Sequence, residues 1–262
     1  MLDYSFSYGD LEYFLLILMR VASFISVAPV FGMQGVPPNR VKIGFALFLS
    51  ILLFGTVPMV PLAYDSVLGY TIIVLKEVMV GIFLGLAAQI CTTITAFAGS
   101  IVDMQVGLSM VSLFDPVSRN QITITGTLYQ YTLLAMMLIS GMYRYILNAL
   151  TDSFALIPVN GAFIRADMLL AQIRTYFTNY IVIGFRICLP VFIITFVTNI
   201  VLGVLAKVAP QMNMFAVGIQ IKLLVGLSVL YLTCTMLGSA SNFVFRYMQE
   251  MINGFTAAMI PG

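Results

Sequence analysis

The chain has 262 residues, of which 61% are hydrophobic and 8% are charged, and its formal net charge is +2. A soluble globular domain carries about 25% charged residues, so this composition excludes an ordinary water-soluble protein. It predicts a single all-α, membrane-associated bundle whose apolar surface is covered by lipid, by other subunits, or by both. The weak charge and the lack of any basic run exclude a nucleic-acid partner.

Six apolar stretches reach the length of about 20 residues that a membrane-spanning helix needs. In chain order they cover 11–31, 41–62, 68–90, 122–150, 176–206 and 215–239. Proline and glycine separate them, most plainly in the run from Gly35 to Asn39. Pro190 lies inside the fifth stretch and is predicted to kink or divide that helix.

Nearly every apolar stretch contains an ionisable side chain. A charge at the centre of a bilayer costs at least about 2.5 kcal/mol, and the basic residues between the stretches give no clear orientation by the positive-inside rule. We therefore expect some of these helices to be buried against protein rather than lipid. The charges in question are Arg20, Lys76, Glu77, Arg144, Arg186 and Lys222.

The third stretch combines two adjacent charges with a run of small residues. Lys76 and Glu77 point about 100° apart on a helix, so they do not face each other. They fit a polar contact to a neighbouring helix or subunit, side chains reaching water from a broken helix, or a proton-linked transport site. Gly81 and Gly85 form a G-x-x-x-G pair, which predicts close helix packing.

An apolar loop follows the third stretch and is framed by Gly107 and Pro116. Its residues include Met110, Leu113, Phe114 and Asp115. An apolar loop is unfavourable in water, and flexible methionine side chains fill irregular spaces well. The loop is therefore predicted either to plug a pore or to be an ordinary re-entrant or buried loop.

Catalytic constellations are missing from the sequence. It contains no histidine, no nucleophile elbow, no P-loop and no paired Cys-x-x-Cys, and its three cysteines lie far apart. We expect neither an enzyme nor a cofactor or metal. A channel or assembly component is favoured, and a secondary transporter using Lys76, Glu77 and Arg186 is the alternative, although it would usually show repeated halves.

Several motifs, in this order and at these spacings, resemble one family. They are Ala28–Phe31 followed by Gly35–Gly44, then Lys76–Gly85, Ala98–Ser109 with Asp115-Pro116, and finally Leu202-Gly203 with Ala209–Gly218. Together they run through nearly the whole chain and resemble the FliR family, which includes the related T-type export proteins of injectisomes.

The resemblance implies a subunit of the type III secretion export gate, which helps form and close a channel for unfolded flagellar proteins. It implies one copy per gate, with FliP-like and FliQ-like partners, an FlhB-like switch protein, exported proteins in transit, and a place in the bacterial inner membrane and flagellar basal body. It implies a FliP-like part over 1–175 joined to a FliQ-like part over 176–262, built from broken hairpins partly held above the bilayer.

The resemblance also assigns roles to individual positions. The loop matching 107–120 is implied to plug the gate, although the family often has aromatic residues where this chain has Met110 and Leu113. We expect subunit contacts at Lys76, Glu77, Gly81, Gly85, Pro210, Gln211 and Asn213.

Overall fold

The computed structural model describes residues 8–29, 38–60, 62, 64, 66–109, 123–211 and 213–260, and every regular element in these ranges is helical. This confirms the all-α prediction. In chain order the helices are α1 (Tyr8–Val27), α2 (Asn39–Phe54), α3 (Val67–Val106), α4 (Ile124–Ile139), α5 (Met142–Leu156), α6 (Ala166–Val208), α7 (Met214–Thr233) and α8 (Leu237–Met259), with a 3₁₀ turn (Cys234–Met236) joining the last two.

Membrane-spanning capacity is concentrated in the longest helical stretches. Three of them are long and apolar enough to cross a membrane: α3, α6, and the stretch from Ala216 to Met259 that contains the 3₁₀ turn. Counting α4 and α5 as one broken span gives a fourth. Among the described residues, the candidate spans are thus fewer than the six apolar stretches of the sequence, in line with the expectation that some of these stretches do not cross lipid.

One helix break was not predicted, and one predicted break is absent. The stretch 122–150 is divided at Gly141, whose φ of 73° lies in the left-handed region that glycine adopts without steric cost. The fifth stretch is not divided, because Pro190 lies within the continuous helix α6. Proline removes one backbone hydrogen bond there, and the remaining 43-residue helix continues through it.

Helix α8 was not predicted, because its apolar residues are interleaved with polar ones instead of forming one run. Its buried residues recur at helical spacing, at Val244, Met248, Met251 and Phe255. This pattern is typical of an amphipathic helix with one face towards a core.

The chain divides into two compact units, and the first consists of Met1–Ile90, Ser140–Phe177 and Arg246–Gly262. Its core contains the α1 side chains Leu16, Val21 and Phe24, all at most 2% exposed. The rings of Phe14 and Phe54 meet edge to face at 5.9 Å between α1 and α2. Phe83 stacks on Phe255 at 5.4 Å, which brings the α8 end into the same core.

The second unit consists of Cys91–Ile139 and Thr178–Phe245. The C-terminal part of α3, the middle of α6 and α7 bury a shared cluster, which is formed by Ala98, Ile101, Val102, Val106, Cys188, Val191 and Val229. Phe97 contacts Tyr180 at 4.8 Å and Phe185 at 5.9 Å between ring centroids. Gly184 allows this approach, since a Cβ there would clash with the Phe97 ring.

Candidate functional site

A buried ion pair joins two helices of the first unit. Arg20 in α1 and Glu77 in α3 are both 0% exposed, and the Arg20 Nε donates to Glu77 Oε2 at 2.6 Å. The guanidinium carbon lies 4.3 Å from the centroid of the Phe154 ring in α5. A charge in an apolar core is tolerated only when it is paired and hydrogen-bonded, so each side chain requires the other.

The same pair also holds the end of α5. Arg20 Nη1 donates to the carbonyl of Ser153 at 3.2 Å and to that of Ile157 at 2.9 Å. The last carbonyls of a helix lack partners within it, and a cation is favoured at that end. Glu77 Oε1 accepts from the backbone N–H of Asn160 at 3.0 Å, a residue whose φ of 65° is left-handed. One ion pair therefore holds α1, α3 and the segment after α5 in place.

Glu77 was selected from the sequence, whereas Arg20 was only noted as a charge within the first stretch. The structure uses Glu77 for a contact between helices of the same chain. Lys76 next to it is partly exposed, as the 100° offset between neighbours requires. A role of Lys76 in subunit contacts stays a prediction.

Gly81 and Gly85 allow α1 to approach α3 closely. A Cβ at Gly81 would clash with the Ser23 hydroxyl oxygen and the Arg20 carbonyl, and one at Gly85 would lie 3.0 Å from the Phe24 carbonyl oxygen. The G-x-x-x-G pair thus serves a helix crossing within the chain, immediately beside the ion pair. Its further role in subunit contacts stays a prediction.

Asp103 anchors both ends of the segment that was predicted to be the plug. At the end of α3 its backbone carbonyl accepts from the N–H of Gly107 at 3.1 Å and of Ser109 at 3.3 Å. At the start of α4 its carboxylate accepts from the N–H of Thr125, with both oxygens at 3.1 Å. A carboxylate is stabilising at a helix N-terminus. A single buried residue therefore fixes where the segment leaves α3 and where it returns to α4.

The same place contains a second glycine crossing. A Cβ at Gly99 would clash with the backbone of Gly126, so α3 and α4 touch through their main chains one turn from Asp103. Sequence reasoning missed this pair, because Gly99 and Gly126 lie on different helices and share no motif. Gly107, which ends α3, has a φ of 93° that favours glycine.

The predicted plug side chains Met110, Leu113, Phe114, Asp115 and Pro116 lie outside the described residues, so their role stays a prediction. The remaining predicted contact residues lie between α6 and α7. Pro210, Gln211 and Asn213 are exposed, and the Asn213 side chain caps α7 by accepting from the N–H of Ala216 at 3.4 Å.

This arrangement positions helices and a loop, and it offers no reaction chemistry that we can identify. Within the ranges that the structure covers, no three His, Cys, Asp or Glu side chains are grouped to hold a metal ion. The Glu77 and Asp103 carboxylates and the Nε and Nη1 of Arg20 are engaged by hydrogen bonds of the protein itself, whereas Arg20 Nη2 is buried without a hydrogen-bond partner among the described residues.

Comparison with known proteins identifies the family. Residues 11–248 match the family described as bacterial export proteins, family 1. The flagellar biosynthetic protein FliR of Bacillus subtilis (strain 168) is 31% identical over 247 residues, covering 93% of this chain and 94% of the relative. FliR of Escherichia coli (strain K12) is 27% identical over 81% of this chain and 80% of the relative. FliR of Aquifex aeolicus (strain VF5) is 25% identical over 92% and 94%. These matches favour a component of flagellar protein export over a small-molecule transporter, and they show that the chain belongs to family 1 of the bacterial export proteins, the family of the FliR proteins.

Proposed function

We propose that this chain is a structural subunit of the type III export gate in the bacterial inner membrane, at the flagellar basal body. It helps to form and close the channel through which unfolded flagellar proteins leave. The proposal assigns it no catalytic step and no cofactor, and energy for export comes from other components.

The observation that carries the proposal is the exposed apolar surface of α6, which is longer than a bilayer. Large apolar side chains are exposed from Phe177 to Val208, a length of about 47 Å at 1.5 Å per residue. The hydrocarbon core is only about 30 Å thick, so lipid covers part of this surface and protein must cover the rest. A chain that needs such cover is an assembly subunit rather than a transporter that works alone.

FliP-like and FliQ-like subunits are the proposed cover, with an FlhB-like switch protein at the same assembly and exported proteins passing through it. We propose that residues 1–175 correspond to a FliP-like part and 176–262 to a FliQ-like part. The exposed connection at Pro210, Gln211 and Asn213 and the partly exposed Lys76 are proposed contacts. The family relationship and the exposed surface of α6 support this assignment.

The loop 107–120 is the proposed plug. Support comes from its two ends, because Asp103 holds both of them at one place in the second unit. A loop whose ends are fixed together can be displaced as one piece without unfolding the helices on either side. Its apolar side chains would keep water out of a narrow pore.

Co-expression tests the gate assignment. The chain should be unstable when it is purified alone in detergent and stable when it is purified with its FliP-like and FliQ-like partners. Imaging of the surviving complex should show one copy of this chain. A folded chain that is stabilised by a small molecule in the absence of partners would contradict the proposal.

Deleting Met110–Phe114 tests the plug. The assembled gate with this deletion should conduct small ions in a reconstituted bilayer, whereas the unchanged gate should stay closed. Substituting Thr151, which is exposed on α5, with Ala is the control and should leave the gate closed. A gate that remains tight after the deletion would contradict the plug and leave the subunit assignment standing.

A further inference from the structure

The apolar hairpin of α6 and α7 carries a groove beside a single cation. Arg186 is exposed, and its guanidinium carbon lies 5.6 Å from the centroid of the Phe243 ring. The two side chains border a cavity of about 310 Å³ that Pro190, Thr233, Met236 and Ser239 also line. With Tyr129, which also lines it, the groove combines a positive charge, three hydroxyl-bearing side chains and an apolar floor.

Arg186 stands at one end of a segment that matches a bilayer. Residues 187–206 contain no charged side chain, and Lys207 follows them directly. Twenty helical residues span about 30 Å, which is the thickness of the hydrocarbon core. Arginine and lysine are favoured at the two membrane surfaces, where their charged ends reach the headgroups. The two cations thus bound a lipid-length segment within the longer helix.

Helix α7 runs antiparallel to this segment. Gly218 lies beside Leu202, and Thr233 lies beside Ile187 at the groove. Tyr231, which is 79% exposed, therefore lies near the Arg186 end, and tyrosine is enriched at the membrane surface. Lys222 is partly buried on the packed face of α7, between Gly218 and Gly226, so it does not interrupt the outer surface of α6.

An exposed apolar stripe leads away from the groove along α6. Leu189, Ile193, Val197, Ile200 and Val204 recur at helical spacing and are each 47–58% exposed. From Leu189 to Val204 the stripe is about 22 Å long, which is the length of an extended acyl chain. A headgroup held at Arg186 would have its chain lying along this stripe.

We propose that the Arg186 groove binds the phosphate of an anionic phospholipid whose acyl chain covers the 189–204 stripe. The guanidinium pairs with the phosphate as a fork of donors, and the hydroxyls of Thr233 and Ser239 border the headgroup. This site goes beyond the gate role, since neither the family match nor the plug requires a bound lipid.

Tryptophan fluorescence tests the proposal directly, because the chain contains no tryptophan. Met236→Trp places a reporter at the groove, where Met236 is 62% exposed, and Leu224→Trp places a control on α7, away from the stripe, where Leu224 is 69% exposed. Each variant is purified with its gate partners and reconstituted with brominated phosphatidylglycerol or brominated phosphatidylcholine. The signal is the difference from the same complex carrying the unchanged chain.

At equal lipid fractions, the anionic lipid should occupy the groove about fivefold more than the neutral lipid, the preference that one surface arginine provides. The anionic lipid should therefore quench the fluorescence of Met236→Trp more strongly than the neutral lipid does. Adding Arg186→Gln should abolish this difference. Both lipids should quench the Leu224→Trp control equally.

Equal quenching of the groove reporter by the two lipids would overturn the phosphate site. Quenching of the control without quenching of the groove reporter would mean that a protein partner fills the groove. Absence of quenching at both positions would place the hairpin outside lipid and would also overturn the proposal. Recovery of the complex with its partners is measured in the same preparations, so each of these results leaves the gate assignment separately testable.

Discussion

The two units bury a carboxylate in different ways. In the first unit, Glu77 pairs with the guanidinium of Arg20, and both side chains are fully buried. In the second, Asp103 meets a neutral backbone N–H at the start of α4. Removing one partner of a buried ion pair leaves an uncompensated charge, whereas removing a capping carboxylate leaves one unpaired donor. The first unit should therefore be far more sensitive to loss of its carboxylate than the second.

The largest effect is expected from Glu77→Gln. It leaves Arg20 charged and buried, which costs about 3–5 kcal/mol, and thermal melting of the purified gate complex should show a strong drop or loss of the complex. Glu250→Gln makes the same substitution at an exposed carboxylate of α8 in the same unit, so it is the matched control and should melt like the unchanged complex. The double variant Arg20→Met with Glu77→Gln should recover part of the loss, since no unpaired charge remains. Unchanged melting of Glu77→Gln would show that the pair adds nothing to stability.

Both units contain glycines at which two helices approach closely, and alanine substitutions test whether these glycines are needed for that approach in each unit. Gly81→Ala in the first unit and Gly99→Ala in the second each force a Cβ against backbone, and overpacking of this kind costs about 1–3 kcal/mol. Both should lower the melting temperature of the complex. Gly203→Ala meets no atom within 4 Å and should be neutral or stabilising by up to about 1 kcal/mol, because alanine favours a helix. If all three variants behaved alike, close backbone approach would not explain the glycines.

Asp103→Ala should have the smallest effect on stability, about 1 kcal/mol, since it removes one helix cap. Hydrogen exchange should report it locally, as faster exchange of the Thr125 amide with little change in the first unit. Asp103→Asn keeps an acceptor oxygen and should restore most of the protection. If the Thr125 amide exchanged as slowly in the alanine variant as in the unchanged chain, the carboxylate would have no role in holding the start of α4.

The all-α class followed from composition and periodicity, because the apolar stretches are long and their interruptions are proline and glycine. Helix ends were harder to predict. Gly141 divides a stretch that reads as continuous, since glycine inside a membrane helix takes either a helical or a left-handed conformation depending on its neighbours. Pro190 was predicted to kink or divide its helix, but the helix continues through it. The turns on either side keep the 43-residue helix continuous although one backbone hydrogen bond is missing.

The site was predictable in part. Glu77, Gly81 and Gly85 stood out as a charge and a small-residue pair on one helix, and close helix packing was the expected use of the glycines. Their partners on α1 could not be found, because Arg20 is 57 positions away and pairing over that distance depends on the tertiary fold. The role of Asp103 was missed, since nothing in the sequence indicates that the chain returns to it at Thr125.

The ion pair of the first unit also bears on biosynthesis. Arg20 hydrogen-bonds to carbonyls that lie 133 and 137 positions later in the chain. A ribosome that adds 5–20 residues per second needs roughly 7 to 27 seconds to make that length. Throughout this interval, α1 holds a cation whose final acceptors do not yet exist. Helix α1 can therefore complete its native contacts only after α5 has been synthesised.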